Sequence, residues 1–207
     1  AVFDREHIRI SGGCGRASAD TWFDLASVTK LFVSTAILEL AEQGALGLEQ
    51  PVTELLTPAR EDPALQKRLS GICVRQLLTH SSGLLPWYPF YTRQEPFYAI
   101  LTELLAQPPL PGMHYSDLNF MLLGRIAAEQ YGAALPRALA LAGLAGPDGP
   151  RFFPKGEQAQ AALAAQGRIA VSSYGNGIEE QMCAERGLAF AGFRSKAAPI
   201  CGEANDG

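Results

Sequence analysis

The sequence predicts an α/β chain of the α+β type, mostly helical with a few short strands. Apolar residues recur at helical spacing in two long segments, about 27–43 and 119–131, and each segment is followed by a glycine that can end a helix. Short runs with strand-like composition lie only near the two ends of the chain, at 1–11 and 169–172. Long helices between short terminal strands are typical of a helical region combined with a small sheet.

Proline and glycine mark where the shorter elements end. Pro58 and Pro63 indicate a loop, and so does the Gly, Pro and Asp composition of 143–150. The tail after Pro199 is predicted to be a loop without a following element. The segment 84–97 is rich in aromatic residues and proline, which fits core packing under a loop and the wall of a pocket equally well. Shorter helices are predicted at 52–56, 74–80, 98–107, 155–167 and 178–185.

Composition limits the classes of function that this chain can serve. The 207 residues are enough for one domain with a proper core, and we predict a single domain over 1–207. A net charge of −4 and the absence of a Lys and Arg cluster argue against a nucleic-acid partner. No apolar run approaches the ~20 residues that span a bilayer. The start carries no signal-peptide pattern, which leaves a cytoplasmic and an exported mature chain both open.

Cysteine and histidine residues do not form a recognisable metal site. The four cysteines are widely spaced without a Cys-x-x-Cys pair, and the three histidines also lack the spacing of metal ligands. We therefore expect no metal and no cofactor. The partner that we expect is a small-molecule or peptide substrate.

The most informative motif is Ser27-Val28-Thr29-Lys30 at the predicted start of the first long helix. Residues three positions apart share a helix face, so Ser27 and Lys30 can touch. The helix that follows is apolar nearly all round, which predicts burial and a lowered pKa for the Lys30 amine. A neutral lysine beside a serine hydroxyl is a general base beside a nucleophile. The alternative is a serine that caps the helix and a lysine that is simply solvated.

Two further segments follow this motif in a fixed order. Residues 76–84 read Gln-Leu-Leu-Thr-His-Ser-Ser-Gly-Leu, and residues 111–120 read Pro-Gly-Met-His-Tyr-Ser-Asp-Leu-Asn-Phe. Together with residues 23–30, they closely resemble the serine β-lactamase-related family, which includes class C β-lactamases, D-alanyl-D-alanine carboxypeptidases and related esterases. The resemblance covers roughly residues 1–130. It implies a β-lactamase-like or penicillin-binding-protein-like fold, in which helices cover an antiparallel sheet.

The resemblance also implies a role for each matching residue. Ser27 matches the nucleophile that becomes acylated, and Lys30 matches the lysine one turn later. Tyr115 matches the tyrosine of the family's Tyr-x-Asn element, which assists proton transfer to and from the serine; a phenol can act as acid or base. Segment 78–84 corresponds to a structural turn, and we assign His80 no catalytic role.

Asp117 stands where the penicillin-recognising members of the family typically have asparagine. An asparagine offers a donor and an acceptor to a substrate amide, whereas a carboxylate only accepts and repels the carboxylate of a β-lactam. We therefore expect Asp117 to bind substrate in a way that favours an esterase or a peptidase over a true β-lactamase. Asn119, two positions later, is a second substrate-binding candidate because it could supply the missing amide.

The family's third element, His/Lys-Thr/Ser-Gly on a late strand, is missing from this sequence. Relatives use that strand for one oxyanion-hole N–H, so we expect a domain truncated at its C-terminus, and slightly at its N-terminus, that turns over esters poorly. An incomplete sheet would leave edges for a strand-pairing partner or a dimer. The missing element also leaves open a second hypothesis, a non-catalytic module that binds a peptidoglycan or peptide ligand.

Overall fold

The computed structural model describes residues 17–18, 20–146, 150, 152, 162–163 and 165–201. Its contacts divide the chain into two compact units, one formed by residues 27–152 and the other by residues 1–26 and 153–207. In its described residues the first contains helices, loops and one isolated bridge between Pro51 and Cys73, and the second contains a small antiparallel sheet. The predicted fold class, helices combined with an incomplete sheet, is confirmed. The prediction of a single domain over 1–207 stays a prediction.

The helical unit consists of eight α-helices and a short 3-10 turn within its described residues. Two of the helices are long, and the other six have four to eight residues each. The 3-10 turn is Phe90–Thr92, and a second one, Ala26–Val28, precedes the first helix. The helices are α1 (Thr29–Glu42), α2 (Val52–Leu55), α3 (Thr57–Glu61), α4 (Pro63–Leu69), α5 (Val74–Leu78), α6 (Phe97–Leu104), α7 (Asp117–Tyr131) and α8 (Leu135–Leu141).

Helices α1 and α7 pack against each other and form the centre of the core. Buried side chains of α1 recur every three to four residues and belong to Val33, Ala36, Ile37 and Leu40. The expectation that α1 is buried nearly all round is wrong, because Leu31 is 68% exposed and Leu38 is 49% exposed. Helix α1 therefore has one buried face and one open face, and Lys30 lies where the two meet.

Helix α7 starts two residues earlier than predicted because Ser116 caps it. The Ser116 hydroxyl accepts the N–H of Asn119 at 3.4 Å, which satisfies one of the free donors at the helix start. The helix ends where Gly132 adopts a left-handed conformation with φ of +61°. Its position two residues after Tyr115 makes α7 the element that supports the site described below.

The loop predicted around Pro58 and Pro63 is wrong, since both prolines lie in the first turns of helices α3 and α4. Proline is tolerated there because the first N–H groups of a helix have no partner within it. Helix α3 receives support from Glu129 of α7, whose carboxylate accepts the Thr57 N–H at 2.9 Å and the Thr57 hydroxyl at 2.7 Å.

The second unit contains strands β1 (Val171–Tyr174) and β2 (Pro199–Cys201), paired antiparallel, and helix α9 (Gly177–Glu185) between them. Strand β1 and helix α9 confirm the predicted elements within a few residues. The predicted loop after Pro199 is wrong at its start, because residues 199–201 pair with β1. The predicted strands at 1–11 and most of the predicted helix at 155–167 lie outside the described residues. No helix in the described part of the chain has the length and apolar character to cross a membrane.

Candidate active site

Ser27 lies in the 3-10 turn that leads into α1, and its side chain is exposed. Lys30, in the first turn of α1, donates from Nζ to Ser27 Oγ at 3.1 Å. The capping alternative does not hold, because the N-cap of α1 is Val28 and no side chain caps this helix. The Ser27 hydroxyl instead lies at the positive end of a 14-residue helix, where developing negative charge is stabilised.

Tyr115 reaches Ser27 from the segment just before α7. Its hydroxyl lies 2.8 Å from Ser27 Oγ, although the two residues are 88 positions apart in sequence. The Tyr115 side chain is 54% exposed, so a molecule from solvent can reach the hydroxyl. The structure therefore brings together the three residues that the sequence singled out, with two proton-carrying groups in contact with one serine oxygen.

Lys30 is paired with the carboxylate of Asp117. The distance from Nζ to Oδ1 is 2.6 Å, and both side chains are largely shielded, with 17% and 20% exposed. Oδ1 is buried and has no hydrogen-bond partner among the described residues, and its contact with Lys30 is an ion pair. The Lys30 ammonium also lies over the Tyr115 ring, 4.9 Å from its centroid.

The predicted lowering of the Lys30 pKa is wrong. Burial acts to lower it, but the ion pair with the Asp117 carboxylate and the contact with Tyr115 outweigh burial, and the pKa of Lys30 is raised above its usual value. The apolar pattern of α1 gives no indication that a carboxylate 87 positions later contacts Lys30. At neutral pH, Lys30 is therefore an ammonium ion that donates to Ser27.

Asp117 is the first residue of α7, where the free N–H groups of the helix favour a negative charge. Its own N–H donates to the carbonyl of Pro86 at 2.8 Å, which ties the start of the helix to the 84–97 segment. With its carboxylate bound to Lys30, Asp117 acts first on the lysine. A direct contact with substrate stays a prediction.

Substrate binding by Asn119 stays a prediction, and the structure gives this residue contacts within the protein. Asn119 is fully buried, and both ends of its amide are bonded within the protein. Its Oδ1 accepts the Ser82 hydroxyl at 2.5 Å, and its Nδ2 donates to His80 Nδ1 at 3.1 Å. Three residues after the Ser116 cap, the side chain points into the core, because helical geometry places that position on the buried face of α7.

Asn119 belongs to a buried polar cluster, which we define as the buried residues Ser82, Ser116 and Asn119 together with His80, which is half-buried. The Ser116 hydroxyl donates to the Leu85 carbonyl at 2.6 Å, and the Ser116 N–H donates to His80 Nδ1 at 3.0 Å. Sequence reasoning missed the role of this cluster. The Thr-His-Ser-Ser-Gly segment was the available indication, and it predicted a turn without showing that the turn packs under Tyr115.

The aromatic segment 84–97 serves core packing at the residues that can be assessed. Trp87 is buried, and Tyr88, Phe90 and Phe97 pack against the hydrophobic core. The Arg125 guanidinium of α7 lies 3.8 Å from the centroid of the Phe97 ring. Of the two uses that the sequence left open, the structure supports packing for these side chains.

Within the described residues, no group of three or more His, Cys, Asp and Glu side chains is arranged to hold a metal ion. The polar atoms at Ser27 come from a serine, a lysine, a tyrosine and an aspartate. That combination is suited to moving a proton at the serine hydroxyl.

The fold and the site together define a class of protein. In this class, a serine just before a helix contacts a lysine of that helix and a tyrosine that is distant in sequence. Comparison with known proteins identifies the family. The profile of the Beta-lactamase family matches residues 1–141, which is more than half of the 207 residues. The chain belongs to the Beta-lactamase family.

Individual relatives cover different parts of the chain. Esterase EstB of Burkholderia gladioli is 42% identical over 73 residues, which are 33% of this chain and 17% of the esterase. Acyltransferase calJ of Penicillium decumbens is 34% identical over 91 residues, or 39% of this chain and 21% of the relative. A crystal structure of a class C β-lactamase from Rhodobacter sphaeroides superposes with a TM-score of 0.51 at 28% identity, covering 73% of this chain and 40% of the other. The chain thus spans less than a third of the curated relatives and less than half of the solved structure.

Proposed function

We propose that this chain carries the attacking half of a serine hydrolase that works through an acyl-enzyme on Ser27. One observation supports this above all: an exposed hydroxyl at a helix start is contacted by Lys30 at 3.1 Å and by Tyr115 at 2.8 Å. A serine that served only structure would have no need of two proton-carrying partners. Membership of the Beta-lactamase family supports the same chemistry.

Tyr115 is the residue that we assign to accept the serine proton. Lys30 is held as an ammonium ion by Asp117, so it has no lone pair with which to act as a base. A phenol can both accept and donate a proton. As Ser27 Oγ bonds to the substrate carbonyl carbon, its proton passes to Tyr115 Oη, and Tyr115 passes its own proton to the leaving group. Lys30 stabilises the attacking oxygen with its positive charge throughout.

The second half of the reaction uses the same groups in reverse. Once the leaving group has taken its proton and departed, the acyl group is bonded to Ser27 Oγ. Water then attacks the acyl carbon, gives a proton to Tyr115, and Tyr115 returns a proton to Oγ as the acyl–serine bond breaks. Protons and bonds balance over the cycle, and Lys30 and Asp117 keep their charges.

For the substrate, we propose a neutral ester or a peptide rather than a β-lactam. The Lys30 ammonium and the Asp117 carboxylate cancel each other at 2.6 Å, so this pair offers no net attraction to a substrate carboxylate. The likeness to an esterase, 42% identical over its aligned 73 residues, supports the ester. The likeness to an acyltransferase supports transfer of an acyl group from serine.

A fluorophosphonate probe tests the proposal, because it bonds covalently to an activated serine. We expect one adduct, mapped by mass spectrometry to the peptide that contains Ser27, and none in Ser27→Ala. Ser70→Ala is the matched control, since Ser70 is an exposed serine beside a helix whose hydroxyl bonds only to a backbone carbonyl in the described structure. A folded protein that carries no adduct would contradict the proposal and favour a module that binds its ligand without catalysis.

A further inference from the structure

His80 contacts the chain on both sides of Tyr115. Its backbone carbonyl accepts the N–H of His114 at 2.9 Å, and its ring nitrogen Nδ1 accepts the N–H of Ser116 at 3.0 Å. One residue thus fixes the neighbours that precede and follow the tyrosine. The Tyr115 side chain is more than half exposed, so such backbone contacts matter for its position.

The His80 ring also lies against the Tyr115 ring. The two ring centroids are 4.6 Å apart at an interplanar angle of 34°. On the neighbouring helix α7, the ring centroid of Phe120 lies 5.2 Å from that of the His80 imidazole. Stacking of this kind fixes the tilt of a ring as well as its distance. His80 therefore bonds to the backbone of the residues on both sides of Tyr115. Its imidazole also packs against the Tyr115 ring, whose hydroxyl contacts Ser27.

Hydrogen bonding determines the protonation state of His80. A backbone N–H can only donate, so Nδ1 must present a lone pair to Ser116. Because Nδ1 already accepts the Ser116 N–H, the Asn119 atom that faces it at 3.1 Å is the donor Nδ2, and Oδ1 faces the Ser82 hydroxyl. With Nδ1 as an acceptor, the ring is neutral and carries its proton on Nε2. A second proton on Nδ1 would break both bonds.

We propose that His80 is a positioning residue, a neutral Nε2-protonated imidazole that holds Tyr115 against Ser27. Its effect on acylation rests on the proposed function, whereas its tautomer and contacts do not. When His80 takes up a second proton, the bond to Ser116 is lost and Tyr115 is released. The rate of Ser27 acylation then falls at acid pH, even though Ser27, Lys30 and Tyr115 are all present.

The charges around the ring set where this loss occurs. Among the described residues, the titratable groups that face the imidazole are Lys30 of α1, Asp117 of α7 and Tyr115. Burial and the Lys30 cation lower the pKa of His80, and the Asp117 carboxylate opposes them with a smaller effect. The fall in acylation rate at acid pH, which we call the acid limb, is therefore expected below the ordinary histidine pKa of about 6.5.

Nitrogen-15 NMR of the imidazoles in the 207-residue chain, recorded between pH 4 and 8, tests the tautomer directly. His80 is assigned by eliminating the other two histidines with His7→Gln and His114→Gln, variants that leave its ring unchanged. We expect the Nε2-protonated neutral form to persist below pH 6.5 and then titrate in one step. Protonation on Nδ1, or a doubly protonated ring at pH 6.5, would overturn the proposal.

The rate of fluorophosphonate labelling over the same pH range tests the effect on Ser27. His80→Asn tolerates the left-handed backbone at this position, where φ is +57°, but it removes the ring. We expect its labelling rate at pH 7.5 to fall by at least about tenfold, as for other small misplacements at a site. The acid limb should coincide with the NMR titration in the wild-type chain and be absent from the variant.

Each outcome has a separate meaning. A variant that labels at the wild-type rate, or a wild-type limb that does not follow the His80 titration, overturns the positioning role. If His80→Asn does not fold, the wild-type chain still tests the positioning role. The midpoint of its acid limb must then agree with the midpoint of its His80 NMR titration. A folded wild-type chain without labelling at any pH overturns the proposed function and the effect on acylation together, while the NMR result stands alone for the tautomer.

Discussion

The exposed groups at Ser27 and the buried polar cluster beneath them differ in how strongly they are tied to the fold. Ser27 and Tyr115 are open to solvent and contact each other through one hydrogen bond. Ser116 and Asn119 are fully buried, and their polar atoms are bonded within the protein. The groups that react are exposed, whereas Ser116 and Asn119 are part of the core. Function and stability should therefore respond to different substitutions.

The largest expected effect is the loss of proton transfer in Tyr115→Phe. Removing the hydroxyl that lies 2.8 Å from Ser27 should slow fluorophosphonate labelling by about 10²–10⁴-fold, the usual range for general acid–base catalysis. The free energy of unfolding should change by less than about 1 kcal/mol, because the side chain is exposed. Tyr174→Phe, at an exposed tyrosine of β1, is the control. Equal labelling by the two variants would contradict the role of Tyr115.

Asn119→Ala, in the buried polar cluster, is expected to affect mainly stability. The substitution leaves the Ser82 hydroxyl and His80 Nδ1 each short of a partner, which should lower the free energy of unfolding by about 2–4 kcal/mol. Denaturant unfolding measures it, with Gln130→Ala as the control at an exposed position of the same helix. If the two variants lose the same stability, the contrast between the two regions fails.

A smaller effect is expected when the charge between the two regions is removed. Asp117→Asn keeps the shape of the side chain but leaves the Lys30 ammonium uncompensated. The ratio of acylation by a penicillin to acylation by a neutral ester should rise by about tenfold, corresponding to ~1.4 kcal/mol of attraction gained between Lys30 and the penicillin carboxylate. Competition labelling with both acyl donors measures this ratio. An unchanged ratio would show that Asp117 does not influence substrate charge.

The same variant gives the smallest prediction, a dependence of stability on pH. The folded-state pKa of Lys30 is raised above 10.5, so the ion pair contributes its full stability below that value and loses it as pH rises through the raised pKa. Wild type should exceed Asp117→Asn by about 1 kcal/mol between pH 7 and 10, and the difference should shrink above that range. A difference that grows at alkaline pH would contradict the assignment.

The sequence was sufficient where local pattern or a short motif determines the outcome. It predicted the long helices α1 and α7, and it placed Ser27, Lys30 and Tyr115 in one site. It failed where distant residues act on each other. The pKa of Lys30 follows from Asp117, and the burial of Asn119 follows from the packing of α7 against the turn at His80. Helical spacing alone could not show which face of α1 stays open.

Strand β2 and helices α3 and α4 also show where local sequence pattern does not determine the structure. Proline in a sequence usually indicates a loop, whereas Pro58 and Pro63 lie in the first turns of helices. Residues 199–201 carry little strand pattern of their own and pair because β1 offers them an edge. In each case the composition is compatible with two local structures, and a tertiary contact selects one of them.

In the proposed function, Ser27 becomes acylated. This acylation is tested most directly by mixing the chain with the p-nitrophenyl ester of a short fatty acid, quenching in acid, and mapping the acyl group by mass spectrometry. We expect the mass of one acyl group on the peptide that contains Ser27, and its absence from Ser27→Ala. An acyl group on Lys30 or on another serine, or hydrolysis that continues unchanged in Ser27→Ala, would contradict the proposed function.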